Sequence, residues 1–172
     1  MTEDLTVRIA VPADLARLHP VIERAYRGDS ARQGWTHEAD LLSGERIDYD
    51  ELHLFLDAQK QRLLVAERGN AVLGCVALTR QNRDLAYLGL LCVDPACQAG
   101  GIGKMIMAAA ERVARDELGV SRIEMTVISK RVELIAYYER RGFVRTRETR
   151  PFPILVDPPL DMVVLEKALA AG

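Results

Sequence analysis

Cysteine is scarce in this chain of 172 residues, and its count is odd: Cys75, Cys92 and Cys97. There is no CxxC pair and no Cys/His cluster with zinc spacing, so neither a disulfide framework nor a structural metal is expected. Cys75 and Cys92 fall in apolar runs and should pack as small hydrophobes. Free thiols and a reduced, cytoplasmic location follow as expectations. Aromatic residues make up only 5% of the chain, with a single tryptophan. A basic excess is missing too: 23 Lys+Arg against 25 Asp+Glu leave a net charge of −2. That argues against nucleic acid or an anionic membrane surface as a partner, since both favour a basic face. Arg145, Arg147 and Arg150 read as one solvated side of a strand. Long apolar runs are also lacking. Met105 to Ala110 is far too short to cross a bilayer. The opening MTEDLTVRIA places acids where a secretion signal carries bases.

The remainder has the make-up of an ordinary soluble globule, 49% hydrophobic and 28% charged. Its length suits a single domain over 1–172 with its own core. No repeat or low-complexity linker is present. Thr6 to Val11 reads as a strand and Asp14 to Tyr26 as a helix, with Pro20 a kink or break inside it. A short helical piece is expected around Thr36 to Leu42. Asp48-Tyr49-Asp50-Glu51 looks like a capping box opening a helix to about Lys60. The period then changes. Arg62 to Glu67 and Ala71 to Thr79 form a hairpin about Gly69-Asn70. Leu85 to Val93 is an apolar strand, where Gly89 suggests a bulge or a close approach to the backbone.

Gly101 to Leu118 is a helix with Ile102, Met105, Ile106, Ala109 and Val113 along one face, ended by Gly119. Arg122 to Ile128 is a strand. Val132 to Arg141 is a short helix stopped by Gly142. Phe143 to Thr149 and Leu160 to Lys167 are the last strands, joined by a loop carrying Pro151, Pro153, Pro158 and Pro159. The order β-α-α-β-β-β-α-β-α-β-β describes an α/β fold, a mixed sheet flanked by helices.

The stretch from Leu90 to Lys104 carries the chemistry. A buried strand runs into a glycine-rich turn, Gln98-Ala99-Gly100-Gly101-Ile102-Gly103, which opens an amphipathic helix. Such a turn presents unpaired backbone N–H groups at the positive end of a helix dipole. It is a phosphate cradle, with glycines that let a pyrophosphate approach and Lys104 as a nearby cation. A phosphate-binding P-loop is excluded, because Gln98 stands where glycine is required and Met105 where Ser or Thr is required. The dinucleotide fingerprint fails as well, because Ile106 replaces its third glycine. A nucleotide-binding protein is therefore disfavoured.

Gln98, Gly101 and Gly103 form Q-x-x-G-x-G, five residues after a strand valine, Val93. This resembles the acetyl-CoA pyrophosphate loop of the GNAT superfamily of N-acyltransferases. A second segment, Leu134-Ile135-Ala136-Tyr137-Tyr138-Glu139-Arg140-Arg141-Gly142-Phe143, is similar to that family's A-x-x-x-Y-E-K-x-G-F segment and follows in the required order. The resemblance spans about Val7 to Glu166. It implies a GNAT-like fold and an acetyltransferase that uses acetyl-CoA as cosubstrate, without a metal. The strand around Gly89 to Val93 would splay from the strand around Arg122 to Ile128, and the pantetheine arm would lie in that gap along Leu91, Cys92 and Val93 and pair with free backbone groups of Leu91 and Val93.

By the same resemblance, the Leu91 N–H would polarise the thioester carbonyl. Backbone N–H groups of Ala99, Gly100, Gly101, Ile102, Gly103 and Lys104 would hold the pyrophosphate. Tyr138 matches the tyrosine that protonates the departing thiolate, which a phenol can do because its pKa lies near that of a thiol. The acceptor amine would attack the thioester directly. The residues alone leave Tyr138 two roles, catalytic phenol or core residue packed by Leu134 and Ile135. Tyr137 points about 100° away and is the weaker candidate.

Two positions depart from the family pattern. Arg131 stands where an asparagine often contacts the pantetheine, so a different contact, to a CoA phosphate for instance, or none, is expected there. Tyr87-Leu88-Gly89-Leu90 offers no glutamate to act as base; Glu124, on the neighbouring strand, or His37, Glu38 or Asp40, from the early loop, could substitute, although each reads first as a surface residue. His19 and His53 are given no role. Gly28 to Asp48, with Trp35 a wall or an anchor, and Pro151 to Pro159 should shape the acceptor pocket, but they do not name the amine. A homodimer is compatible with the resemblance. A module that binds acyl-CoA without catalysis is the alternative reading, favoured by the missing glutamate and opposed by Tyr138.

Overall fold

The computed structural model describes residues 4–26, 47–56, 59–97, 101–152 and 157–170. The expected helical piece at 36–42 lies outside these residues, as do Trp35, His37, Glu38 and Asp40. Among the described residues, seven strands form one sheet in the order β1-β2-β3-β4-β5-β7-β6. They are β1 (Leu5–Ile9), β2 (Gln61–Arg68), β3 (Ala71–Arg80), β4 (Leu85–Val93), β5 (Arg122–Ile128), β6 (Val144–Pro151) and β7 (Asp161–Ala168). The helices are α1 (Leu15–Tyr26), α2 (Tyr49–Leu54), α3 (Ile102–Asp116) and α4 (Val132–Arg140). The element order and the mixed sheet are those expected from the sequence. Among the described residues, no helix is long and apolar enough to cross a membrane.

Local chemistry explains each boundary. The β2–β3 hairpin closes through Gly69 and Asn70, with Gly69 at φ 62°, as a two-residue turn requires. Gly142, at φ 100°, ends α4. Helix α1 buries Leu15, Leu18, Val21, Ile22 and Ala25 at three- and four-residue steps. Pro20 does not break it. The ring is exposed and stands on the outer side. Asp48 caps α2 by accepting from the Glu51 N–H at 2.8 Å, as the capping motif predicted, but the helix stops at Leu54, well short of Lys60. The Phe55 and Leu56 N–H groups turn back to Leu52 and His53, a tightened last turn that ends the helix. Along α3 the expected face is buried except for Met105, which is 45% exposed; Met107 and Ala110 fill the inner side instead.

The sheet separates two cores. On one side α3 packs with Leu88, Leu91, Val93, Met125, Val127, Tyr138 and Phe143. On the other, α1 and α2 cover Leu63, Val65, Cys75, Ala77, Leu90 and Cys92. β3 and β4 approach closely at Gly74, where a Cβ would lie 2.3 Å from the Cys92 carbonyl oxygen. Only glycine allows that contact. Cys75 and Cys92 face each other across this pair, with the sulfurs 3.7 Å apart; neither they nor Cys97 form a disulfide among the described residues.

Candidate active site

β4 carries the bulge anticipated near Gly89, one residue further on. Ala77 pairs with Gly89 and Cys75 with Cys92, so Val76 alone stands opposite Leu90 and Leu91. Leu90 adopts φ 52°, a left-handed conformation that a branched residue holds only where its surroundings enforce it. β4 and β5 run parallel, but their pairing ends at Tyr87 and Glu124. Beyond that rung the strands part, as expected from the sequence, and Leu91 to Val93 border the opening.

A groove of about 320 Å³ leads into this fork between α3 and α4. Leu91, Cys92 and Val93 form its inner end, Gly103 and Lys104 its α3 wall, and Tyr137 and Arg141 its α4 wall. Gly101 takes φ 78° to start α3, a conformational need met by glycine. Gly103 serves space instead: a Cβ there would stand 3.7 Å from the Tyr137 hydroxyl and 3.9 Å from Val93, inside the groove mouth. Ile102 is buried beneath the turn. Gln98, Ala99 and Gly100 lie outside the described residues. The Arg141 guanidinium rests 4.4 Å from the centre of the Tyr137 ring, and its buried Nε has no hydrogen-bond partner among the described residues. Lys167, on the same groove, pairs with Glu111 at 3.0 Å.

Tyr138 is 4% exposed and sits among the core residues beneath the groove. Its ring meets Tyr137 and Phe143 edge-on, at 5.5 and 5.9 Å. Burial pushes its phenol above the usual tyrosine range; the neighbouring Tyr137 and Cys92 add to the rise and the Arg131 charge opposes it. Arg131 is the residue before α4, and its charge acts on that phenol. Tyr137, the weaker candidate from the sequence, is the one on the groove wall.

The opposite face of the fork holds a second cavity, of about 430 Å³, bordered by Glu51, Phe55, Thr79, Tyr87 and Gly89. On the same sheet face the Tyr87 hydroxyl shares a 2.6 Å hydrogen bond with Thr126. Glu124 is 5% exposed, with the Arg150 guanidinium 2.8 Å from Oε2. The hydrogen bond is directed to Oε1, at 3.4 Å, and Oε2 receives none among the described residues. Arg150 therefore departs from the solvated row expected for it, while Arg145 and Arg147 are exposed. His19 hydrogen-bonds the Ile47 carbonyl oxygen at 2.8 Å, a local tie.

Sequence reasoning missed Tyr26. Its hydroxyl donates to the Leu91 carbonyl oxygen at 2.5 Å, so that acceptor, expected to be available to the pantetheine, already has a partner. An aromatic residue at the end of α1 gave no signal for this contact, which joins positions 65 residues apart.

A forked sheet with a groove on one face and an open cavity on the other defines the acyl-CoA N-acyltransferase fold. The chain belongs to the GNAT acetyltransferase family, whose description its residues 24–143 match. A stretch of 56 residues is 39% identical to the mycothiol acetyltransferase of Salinispora tropica, covering 33% of this chain and only 18% of that relative's length. Among solved structures, yncA from Salmonella typhimurium with its cofactor acetyl-CoA superposes with a TM-score of 0.73 at 20% identity, over 98% of this chain and 95% of the other. The ribosomal-protein-S18-alanine N-acetyltransferase of Escherichia coli gives 0.74 at 16%, over 98% and 97%. These two likenesses are of fold.

Proposed function

We propose that this protein is an N-acetyltransferase that moves an acetyl group from acetyl-CoA to a primary amine of a small molecule or a protein. The observation that carries the reading is the fork itself. Leu91 and Val93 border a gap that opens to a groove on the α3 side and to a separate cavity on the α1 side. Cosubstrate and acceptor can therefore reach one point from opposite faces, as direct attack requires.

In this reading the pantetheine lies along Leu91, Cys92 and Val93, and its pyrophosphate on the N–H groups from Gln98 to Lys104. The amine nitrogen attacks the thioester carbon. The Leu91 N–H stabilises the oxygen as it gains charge, the carbon–sulfur bond breaks, and the Tyr138 phenol protonates the departing thiolate. Glu124 is the buried carboxylate on the acceptor face and can take the proton the amine loses. Cysteines outside any disulfide fit a reduced, cytoplasmic setting.

Titration calorimetry with acetyl-CoA, CoA, ATP and NAD tests the cofactor, and thiol release from acetyl-CoA over polyamines, amino acids, aminoglycosides and short peptides tests the reaction. CoA and acetyl-CoA should compete for one site, with ATP and NAD far weaker. ATP binding as tight as CoA would sink the assignment. Tight CoA binding with no thiol release over the whole panel would instead favour a module that only binds acyl-CoA.

A further inference from the structure

The bulge in β4 is held by side chains, and the direction of each bond matters. The Asp94 N–H donates to the Leu73 carbonyl at 2.7 Å. Antiparallel bonds between two strands recur at every second residue, so Cys75 and Cys92 form the next bonded rung. Leu91 and Val93 then turn their peptide groups to the other edge of β4, toward the fork. At Leu90 the Cys75 thiol donates to the carbonyl oxygen at 3.2 Å. In a planar trans peptide the next N–H points the opposite way, so this bond aims the Leu91 N–H away from β3 and into the gap. On the other side of Leu91, the Tyr26 hydroxyl takes the carbonyl at 2.5 Å. Both peptide planes flanking Leu91 are therefore fixed by side-chain donors, one from β3 and one from the end of α1. This matters because Leu90 sits at φ 52°, a conformation that relaxes when its restraints are removed.

From this geometry we infer that Tyr26 is a positioning residue for the acyl transfer: its hydroxyl holds the Leu91–Cys92 peptide and so anchors the backbone of Leu91, whose N–H is presented to the thioester oxygen. Cys75 holds the Leu90–Leu91 peptide, the one that carries that N–H. Tyr26 reaches the fork from the acceptor face, where α1 packs, and leaves the cofactor groove untouched. The inference rests on the acetyltransferase reading, and it separates binding from turnover. Loss of the Tyr26 hydroxyl should spare the groove while misaligning a donor that acts in the transition state, and an error of about an ångström in such a donor costs on the order of a hundredfold.

The test is Tyr26→Phe, which keeps the ring. Acetyl-CoA affinity should stay within twofold by calorimetry, and kcat with the fastest acceptor of the panel should fall at least tenfold. In 15N–1H spectra of the free protein the Leu91 amide signal should move. Cys75→Ala should reproduce the loss in kcat and Cys75→Ser, which retains a donor, should restore most of it; this pair keeps the inference testable if Tyr26→Phe folds poorly. A kcat within threefold of the original in both Tyr26→Phe and Cys75→Ala overturns the inference. So does a loss of acetyl-CoA affinity as large as the loss of kcat, which would make Tyr26 a support of the groove. Failure of the unaltered protein to bind CoA overturns the acetyltransferase reading instead, and that shows in calorimetry before any variant is made.

Discussion

Arg150 on β6 reaches under the sheet to Glu124 on β5, its Nη2 2.8 Å from the buried Oε2. The two partners are unequal: Glu124 is almost fully buried, while Arg150 keeps about a third of its side chain in water (34% exposed) and also pairs with Glu148. Removing one is therefore not equivalent to removing the other. Arg150→Met leaves a buried carboxylate without its counter-charge and should lower stability by about 2–3 kcal/mol. Glu124→Gln removes the buried charge and leaves a guanidinium that water and Glu148 can serve, at under ~1 kcal/mol. Urea midpoints of the two variants check the order. Equal losses would contradict it.

Gly103 and Gly101 make different demands, and the substitutions at each should differ in kind. A side chain at Gly103 meets ordinary contacts, 3.7 Å to Tyr137 and 3.9 Å to Val93, so Gly103→Val should fold. It fills the groove mouth and should weaken CoA binding by at least a hundredfold. Gly101 has nothing within 4 Å of its missing Cβ, yet it holds φ 78°, so Gly101→Val strains the turn itself, by roughly 1–3 kcal/mol. Calorimetry beside a thermal melt separates the two effects. Undiminished CoA affinity in Gly103→Val would show that the groove is not the cofactor site.

The features legible in the sequence were the local ones. Strand β4 and the hairpin about Gly69 follow from period and turn chemistry, and the glycine turn before α3 from its pattern. The contacts that finish the site join distant positions. Tyr26 meets Leu91, Arg150 meets Glu124, and Gly74 admits the Cys92 carbonyl. No periodicity encodes such pairs, because each is decided by how α1, β3 and β6 pack after they form. Helix phase misled at Met105, which lies outside the buried stripe of α3. There a pattern of three- and four-residue steps gave the stripe but not its exact edge.

Asp14 gives the fold a defined acid sensitivity. It is 1% exposed and accepts hydrogen bonds from Arg8, from Arg17 and from the Val11 N–H. The Arg8 bond is the main cause that holds its carboxyl down to about 2, against the usual 3.8, despite the opposing effect of burial. A depressed pKa in the folded state means the stabilisation is fully present above about pH 4 and is lost as pH falls from there through about 2. Its size is ~2 kcal/mol. The stability difference between the unaltered protein and Asp14→Asn should therefore be largest from pH 5 to 7 and shrink as pH falls toward 2.5. Urea titrations across that range check it; a difference independent of pH would assign the effect to packing.

Tyr138 is the sharpest case. Tyr138→Phe removes one hydroxyl and keeps the ring contacts with Tyr137 and Phe143. If the phenol protonates the leaving thiolate, acetyl-CoA affinity stays nearly unchanged and turnover falls by roughly 10²–10⁴-fold. If it only fills the core, stability shifts by ~1 kcal/mol and turnover does not move. The sign of the pKa shift adds a second readout. Burial raises the Tyr138 phenol above its usual value of 10, and the phenol works in its protonated form. Its loss of function must then come at higher pH than for an exposed tyrosine, and the high-pH limb of kcat should show no phenol titration below pH 10. Tyr137→Phe is the internal control. Its hydroxyl lines the groove, so it can alter acetyl-CoA affinity a few-fold while leaving turnover close to the original. Full turnover in Tyr138→Phe would reject the proton-donor role and leave the CoA groove standing, because the groove is lined by Leu91, Cys92, Val93, Gly103, Tyr137 and Arg141, with Tyr138 in the core beneath them.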